Sequence, residues 1–288
     1  MCVTASETIR FRVVTRARFL RLSEAEQRVV LDELYRTNLA RLIRALRFCD
    51  REAIRLYRAT SNLFPLCDEP VGEQVIDALA PELGQVGPLA EKLGIRVVAH
   101  PDQFVVLSSE TPRVVATSVH IMRRHARVFD LLGLPRSPWS CLILHGGKTG
   151  RSDELAQAIE SLPEAIRRRL VLENDERAYS AQEILNVCRH TGVPMVFDVH
   201  HHVIKEGLPD FEHPSIAEML DAARETWPDP AWQLVHLSNG HDGIADPRHS
   251  EMITVYPSAF ARVPWIEVEA KGKEKAIAEL RRIWPGAR

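Results

Sequence analysis

Short apolar runs alternate with longer amphipathic segments along most of this sequence. The apolar runs have the length and composition of strands, and they lie at residues 54–59, 95–100, 140–145, 169–173, 194–198, 232–236 and 264–269. Between them are helical patterns such as residues 72–94 and 152–170, the second with Ser152 as its predicted N-cap. Gly94 and Gly192 stand where helices commonly stop. Seven β-then-α units favour an α/β fold, a parallel sheet closed into a TIM (β/α)8 barrel, with a doubly wound open sheet as the alternative.

The eighth strand of such a barrel has only a weak candidate. Residues 8–14 have strand propensity, but the run is short and a long helical stretch, residues 24–48, follows closely. We therefore predict a barrel with an irregular or missing first strand. No linker-like segment divides the chain, and barrels of about 250 residues are common, so residues 1–288 are predicted to form a single TIM-barrel domain.

The composition narrows the functional classes. Hydrophobic residues make up 45% and charged residues 26%, and no apolar run approaches the roughly 18 residues of a membrane span. The sequence begins without a secretory pattern, and five scattered cysteines, among them a buried-type Cys141, indicate reduced thiols. Glycine-rich phosphate loops are absent. We expect a cytoplasmic monomer with no membrane partner and no nucleotide cofactor.

Charge is unevenly distributed along the chain. Residues 1–60 contain thirteen arginines, no lysine and seven acids, which gives this segment a net charge of +6, whereas the whole chain carries −2. Such an excess could line one face for a polyanion such as nucleic acid. The alternative is an arginine-rich solvated helix, which charge alone slightly favours.

Metal-ligating residue types close six successive predicted strands. They are His100, His145, Glu173, Asp198, His236 and Glu269. A single histidine or glutamate at a strand end is usually a satisfied structural residue, but the carboxyl ends of barrel strands converge on one mouth. Three carboxylates buried together need compensating cations, and divalent metals commonly provide them. The pattern therefore predicts a metal site.

The ligand types limit the metal and the reaction. Imidazoles and carboxylates without cysteine exclude a cysteine-type structural zinc site and suit Mn, Zn, Fe or Mg. Six ligands are too many for one tetrahedral ion, so we predict two or three ions, with Glu173 as a bridge. Such clusters serve metal-assisted phosphodiester hydrolysis, and sugar isomerisation is the competing use. His201 and His249, in predicted loops, are additional ligand candidates, whereas at most some of residues 200–202 can face the site.

Six motifs resemble the UV damage endonuclease family in their order and approximate spacing. They are HPDQF (100–104), LHGGKTG (144–150), LENDE (172–176), FDVHHH (197–202), VHLSNG (235–240) and VEAKGKE (268–274). The resemblance covers roughly residues 20–280. It implies a TIM-barrel DNA-repair endonuclease that uses a manganese-type metal cluster to nick damaged double-stranded DNA immediately 5′ of a UV photoproduct.

The resemblance also implies roles for individual residues. The metal ligands of the family fall on His100, His145, Glu173, Asp198, His201, His236, His249 and Glu269. Of these, Glu173, His236 and Glu269, together with Lys271, are the expected catalytic residues. Gln103 and Phe104 match the pair that probes the lesion, although Phe104 alone would suggest a core aromatic. Lys148 is an expected DNA contact, with an ordinary surface lysine as the alternative.

Three positions depart from the family pattern. Leu234 stands where family members generally carry a lysine close to the metals, and Asn62 stands near the place of a frequent histidine. The opening strand with its lesion-holding aromatic residue has no clear counterpart. These departures leave open a divergent relative that acts as a metal-dependent, sugar-type isomerase or hydrolase.

Overall fold

The computed structural model describes residues 9–101 and 104–286. These residues contain seven strands, each hydrogen-bonded in parallel to the next along the chain. The strands are β1 Leu56–Ala59, β2 Arg96–Ala99, β3 Leu142–His145, β4 Leu170–Glu173, β5 Met195–Asp198, β6 Leu234–Leu237 and β7 Trp265–Val268. All seven predicted strands are thus present, and the sheet forms a nearly closed TIM-type barrel rather than a doubly wound open sheet.

Helices connect the strands and surround the sheet. They are α1 Arg16–Phe19, α2 Glu24–Arg51, α3 Pro70–Ala78, α4 Ala80–Leu83, α5 Val86–Lys92, α6 Pro112–Leu131, α7 Ser152–Glu160, α8 Glu164–Arg167, α9 Ala181–Thr191, α10 Val199–Glu206, α11 Pro214–Arg224 and α12 Glu274–Ile283. Three short 3-10 helices cover Pro138–Ser140, Pro230–Trp232 and Ser258–Arg262. None of the helices in the described part of the chain is long and apolar enough to cross a membrane.

Residues 9–15 form no strand, which confirms the prediction of an irregular or missing first strand for the described residues. Instead, the side chain of Asn38, on α2, holds this segment by hydrogen bonds to the backbone of Arg12. The Asn38 Oδ1 atom accepts a hydrogen bond from the Arg12 N–H at 2.8 Å, and its Nδ2 atom donates to the Arg12 carbonyl at 2.9 Å. This N-terminal segment is therefore held against α2, and the sheet begins at β1.

Two long predicted helices are each divided. Residues 72–94 fall into parts of α3, α4 and α5, because proline and glycine residues weaken the helical hydrogen-bond ladder there. Residues 152–170 divide near Pro163 into α7 and α8. Ser152 was wrongly predicted as an N-cap: Arg151 occupies that position, and its carbonyl accepts the first intrahelical bond, from the Leu155 N–H at 3.0 Å.

An apolar layer fills the barrel below the strand ends. It consists of inward-facing side chains, namely Leu56, Val98, Cys141, Ile143, Val171, Val196 and Leu234, with Trp227 packed against them. Leu234 is fully buried in this layer, among apolar side chains. An aliphatic residue is therefore accommodated at this position, where the family generally has a lysine. Cys141 is buried as well, as the sequence predicted.

Candidate metal centre

The strand ends bring the six predicted residues to one mouth, as expected. His145, Glu173 and Asp198 are the last residues of β3, β4 and β5, while His100 and Glu269 directly follow β2 and β7. These positions share one face of the sheet because side chains alternate along a strand.

His236 is not a strand end, contrary to the prediction. Strand β6 continues for one residue, because Leu237 pairs with Val268 of β7. His236 still faces the barrel interior, by the same alternation that turns the last residues of the neighbouring strands inward.

Glu173 lies at the centre of the imidazoles. Its Oε1 atom is 2.8 Å from His236 Nδ1, and its Oε2 atom is 3.2 Å from His100 Nε2 and 3.8 Å from His145 Nε2. The side chain is only 1% exposed. Burial opposes its charged form, but the imidazoles, foremost that of His236, hold the pKa of Glu173 well below its ordinary value. Glu173 is therefore an anion shared among several potential metal ligands.

The two carboxylate oxygens of Asp198 differ in their hydrogen bonding. Its Oδ1 atom accepts a hydrogen bond from the His201 N–H at 2.8 Å, which makes Asp198 the N-cap of α10. Its Oδ2 atom is buried and has no hydrogen-bond partner among the described residues. Asn174 fixes the Asp198 backbone by two hydrogen bonds of 2.9 Å. A buried carboxylate oxygen without a partner is costly unless a cation occupies the space beside it.

His201 belongs to a helix, whereas we had predicted a loop. The Asp198 cap starts α10 directly after β5, so His201 lies in the first helical turn. Its Nδ1 atom lies 2.9 Å from the Asn174 carbonyl oxygen, and a proton donated there leaves Nε2 available for a metal. Burial opposes protonation, but Asp198 and Glu173 raise the pKa of His201 to about 9.

The flanking histidines turn away from the site. The His200 Nδ1 atom lies 3.0 Å from Ser238 Oγ, and His202 Nε2 lies 3.0 Å from Ser215 Oγ. Successive helical residues point about 100° apart, so the three histidines cannot converge. Only His201 of the three contacts Glu173 and Asp198.

Among the residues that the structure describes, three groups of ligand atoms lie close enough to hold metal ions. They are His100 with His145 and Glu173, Glu173 with Asp198 and His201, and Asp198 with His236 and Glu269. Glu173 and Asp198 each belong to two groups, which is the arrangement expected of bridging carboxylates. The mixed imidazole and carboxylate donors and the free Asp198 Oδ2 atom fit divalent metal ions. The predicted metal site is thereby supported in position and donor type.

His249 stands at the edge of these groups. An isolated β-bridge with Gly240 holds it in the loop after β6, and its Nε2 atom is 3.8 Å from Glu269 Oε2. A cavity of about 740 Å³ opens above the groups and is lined by His249, Glu269 and four other predicted ligands. Asp198 and His236 lie beneath it. The mouth is thus open to a substrate on the side of the outer ligands.

Sequence reasoning missed Arg58 and Glu267. The Arg58 Nε atom lies 2.9 Å from Glu267 Oε1, and the Arg58 guanidinium also forms an ion pair with Glu269, so β1 and β7 are joined across the seam of the barrel. Burial opposes the charged form of Glu267, but Arg58 and then His236 lower the pKa of Glu267 to about 2. Strand alternation could have indicated both residues as inward-facing. Glu267 shares the inward face of β7 with Glu269, and Arg58 shares the inward face of β1 with Leu56.

The residues predicted to contact DNA are exposed where the structure describes them. Phe104 is 77% exposed, so the alternative of a core aromatic is wrong. Lys148 is exposed as well, and so is Lys271, which is an expected catalytic residue. Gln103 lies outside the described residues.

The chain is similar to a family of endonucleases and to proteins of that family. Residues 1–286 match the profile of the family described as "UV-endonuclease UvdE". A UV DNA damage endonuclease of a Nostoc species is 52% identical over 286 residues, covering 99% of this chain and 89% of that protein. A UV DNA damage endonuclease of Deinococcus radiodurans is 51% identical over 288 residues, covering 99% of this chain and 94% of that protein. The crystal structure of SacUVDE matches with a TM-score of 0.81 at 26% identity, covering 98% of this chain and 96% of the other.

Proposed function

We propose a mechanism from the premise that this chain belongs to the UV-endonuclease UvdE family and is a DNA repair endonuclease. In this proposal it hydrolyses the phosphodiester immediately 5′ of a UV photoproduct or another damaged nucleotide. It acts as a monomer on double-stranded DNA and needs no nucleotide cofactor. One observation supports metal-assisted hydrolysis above all: Glu173 and Asp198 each belong to two of three adjoining ligand groups.

The eight predicted ligands would hold two or three divalent ions, with Mn as the best candidate and Zn, Fe or Mg as alternatives. Bound ions would supply a nucleophilic water near neutral pH and stabilise the charge on the 3′-oxygen leaving group. Glu173 and Asp198 would each serve two ions. His236 and Glu269 would complete the innermost group, and the Arg58 guanidinium balances the charge of Glu269. These residues are preorganised, because strand ends and the α10 cap fix them before substrate binds.

Four residues near the predicted metal ligands in sequence, together with the N-terminal arginines, would bind the DNA. Phe104, together with Gln103, would enter the duplex at the lesion, where damaged bases are easier to unstack. Lys148 and Lys271 would contact phosphates, and Lys271 follows the predicted ligand Glu269 by two residues. The arginine-rich residues 1–60 would add sequence-independent attraction.

The sugar-type isomerase or hydrolase is not favoured. The family profile and the relatives at half identity are endonucleases, and these matches extend over nearly the whole chain. Leu234, one of the departures that raised this alternative, packs in the apolar layer and removes none of the eight ligands.

A plasmid-nicking assay tests the proposal. Protein stripped of metal by a chelator is reloaded with Mn²⁺, Mg²⁺ or Zn²⁺ and mixed with UV-irradiated, abasic or undamaged supercoiled plasmid. We expect Mn²⁺ to restore damage-dependent nicking, and an oligonucleotide with one defined photoproduct to be cut on its 5′ side. DNA affinity should fall steeply with salt.

Two variants make the assay specific. Glu173→Gln should abolish nicking because the central carboxylate charge is lost. Glu183→Gln makes the same chemical change in the capping box of α9, where Glu183 accepts hydrogen bonds from Ser180, and should retain nicking. If no metal supports damage-dependent nicking by the wild-type protein, the proposed mechanism is wrong.

A further inference from the structure

The two ring nitrogens of His236 face different surroundings. Nδ1 points into the predicted metal centre, where it lies 2.8 Å from Glu173 Oε1, 3.8 Å from Glu269 Oε1 and 4.0 Å from Asp198 Oδ2. Nε2 points the other way and lies 3.3 Å from Glu267 Oε2. The His236 ring is fully buried, so water cannot replace either contact. The nitrogen available to a metal is therefore Nδ1.

His236 differs in this respect from two other predicted ligands. His100 and His201 each place Nδ1 against a backbone carbonyl oxygen, of Pro101 at 3.0 Å and of Asn174 at 2.9 Å. Their tautomer is set by the main chain, and Nε2 remains for the metal. In His236 the two nitrogens have the opposite roles. Nδ1 faces the predicted metal centre, and Nε2, which points away from it, lies beside the Glu267 carboxylate.

His236 Nε2 and Glu267 Oε2 have no other partners. Both atoms are buried, and neither has a hydrogen-bond partner among the described residues. At 3.3 Å the two atoms are within ion-pair distance of each other, although the contact is longer than a good charge-assisted hydrogen bond. Each atom is thus the available partner of the other.

Arg58 and the sheet register hold Glu267 in place. His236 and Glu267 are directly paired in the β6–β7 ladder. Arg58 Nε occupies the second oxygen of Glu267 at 2.9 Å, and Glu267 is only 4% exposed. One carboxylate oxygen is therefore anchored, and the other is directed at the imidazole.

We propose that Glu267 is a positioning residue that keeps the proton of His236 on Nε2 and thereby presents an unprotonated Nδ1 to the metal. This inference rests on the proposed metal centre. A carboxylate behind a ligating histidine fixes the ring and makes it a better donor, and the loss of such a partner typically lowers metal affinity about 10- to 100-fold. Glu267 itself binds no metal in this arrangement, because Arg58 and His236 use its two oxygens.

Direct metal titration tests the role. Apoprotein is titrated with Mn²⁺ in a calorimeter, as wild type, Glu267→Gln and the control Glu183→Gln, and thermal unfolding of each apoprotein is recorded. We expect Glu267→Gln to weaken the tightest Mn²⁺ site about 10-fold or more and Glu183→Gln to leave it unchanged. A purely structural Glu267 would change the unfolding temperature of the apoprotein but not its Mn²⁺ affinity, and that result would overturn the inference.

A second measurement needs no variant to fold. In Zn²⁺-loaded wild-type protein with ¹⁵N-labelled histidine, the nitrogen chemical shifts of His236 report which nitrogen carries the proton. We expect a protonated Nε2 and a metal-bound Nδ1; the opposite assignment contradicts the inference. Wild-type protein that binds neither Mn²⁺ nor Zn²⁺ would instead refute the metal centre itself, so the two failures are distinguishable.

Discussion

Asp198 caps the helix that presents His201, with its Oδ1 atom 2.8 Å from the His201 N–H. The other oxygen, Oδ2, has no hydrogen-bond partner among the described residues and lies 3.9 Å from His201 Nδ1 and 4.0 Å from His236 Nδ1, within the predicted metal centre. One side chain thus joins β5 to α10 and also supplies a ligand. The two tasks belong to different oxygens, so substitutions can separate them.

Asp198→Asn should lose metal binding while keeping the cap. Asparagine caps helices about as well as aspartate, whereas alanine costs about 1 kcal/mol of stability. We expect apo Asp198→Asn to be more stable than apo Asp198→Ala by about that amount in thermal unfolding. Both variants should lose most of the rise in unfolding temperature that Mn²⁺ gives the wild type, since ligand binding stabilises the folded state. An undiminished rise in Asp198→Asn would show that Oδ2 is not a ligand.

Phe104→Ala should impair damage recognition without affecting stability. The side chain is 77% exposed, so its removal should change the free energy of unfolding by less than about 0.5 kcal/mol. Stacking of an aromatic ring on a base contributes about 1–3 kcal/mol, which corresponds to a roughly 5- to 150-fold loss in nicking efficiency on UV-irradiated DNA. Mn²⁺ affinity should not change. Val29→Ala removes another exposed apolar side chain, 68% exposed on α2, and should leave nicking intact; an equal loss in both variants would contradict the role of Phe104.

The strand positions and six of the ligand candidates could be predicted from sequence because both depend on local alternation. A strand with a polar last residue on its inward face gives the same signal wherever it occurs, so His145, Glu173 and Asp198 were found together. The His201 helix was missed because one residue, Asp198, serves as strand end and N-cap at once. Its capping role was readable only after the strand end was known.

The Arg58–Glu267 pair could not be predicted because it depends on closure of the sheet. The two residues stand on the first and last strands of the barrel, and only the curvature of the complete sheet brings these edges together. The surroundings of Leu234 could not be predicted from sequence for a similar reason. The sequence places it two residues before His236, but whether that position faces metal or aliphatic side chains depends on the height of each strand in the barrel.

Arg96 is expected to be a stability residue at the floor of the barrel, opposite the mouth. Its guanidinium donates three hydrogen bonds of 2.7–2.9 Å, to the carbonyls of Trp139, Trp232 and Pro138, and stacks on Trp139. Lysine keeps the charge but cannot reproduce this planar fork. Arg96→Lys should therefore lower the free energy of unfolding of the apoprotein by about 2–4 kcal/mol in urea, because buried acceptors lose their donors.

The control for this prediction is Arg136→Lys. Arg136 also forms a two-pronged contact, with Asp130 at 2.8 Å, but the Arg136 side chain is 57% exposed. Its replacement should cost no more than about 1 kcal/mol. Mn²⁺ affinity should be unchanged in both variants. A comparable cost at the two positions would mean that burial does not determine the contribution of Arg96.

His125 should make the protein sensitive to acid. The side chain is 6% exposed and its Nε2 atom has no partner among the described residues. Burial, with smaller contributions from Arg124 and His100, lowers the pKa of His125 to about 3. An unfolded chain has a histidine pKa of about 6.5, so between these values the unfolded state binds a proton that the folded state does not. Stability from His125 is therefore complete above about pH 6.5 and is lost progressively as the pH falls towards 3.

Urea unfolding at pH 7 and pH 5, with a chelator present, measures this loss. His125 should contribute about 2 kcal/mol to the decrease in stability between the two pH values. His125→Gln should shrink the decrease by that amount, whatever its effect at pH 7, because the other titrating groups are common to both proteins and cancel in the comparison. His190→Gln changes an exposed histidine and should leave the decrease unchanged. Equal pH dependence in His125→Gln and wild type would show that the folded protein accommodates a protonated His125.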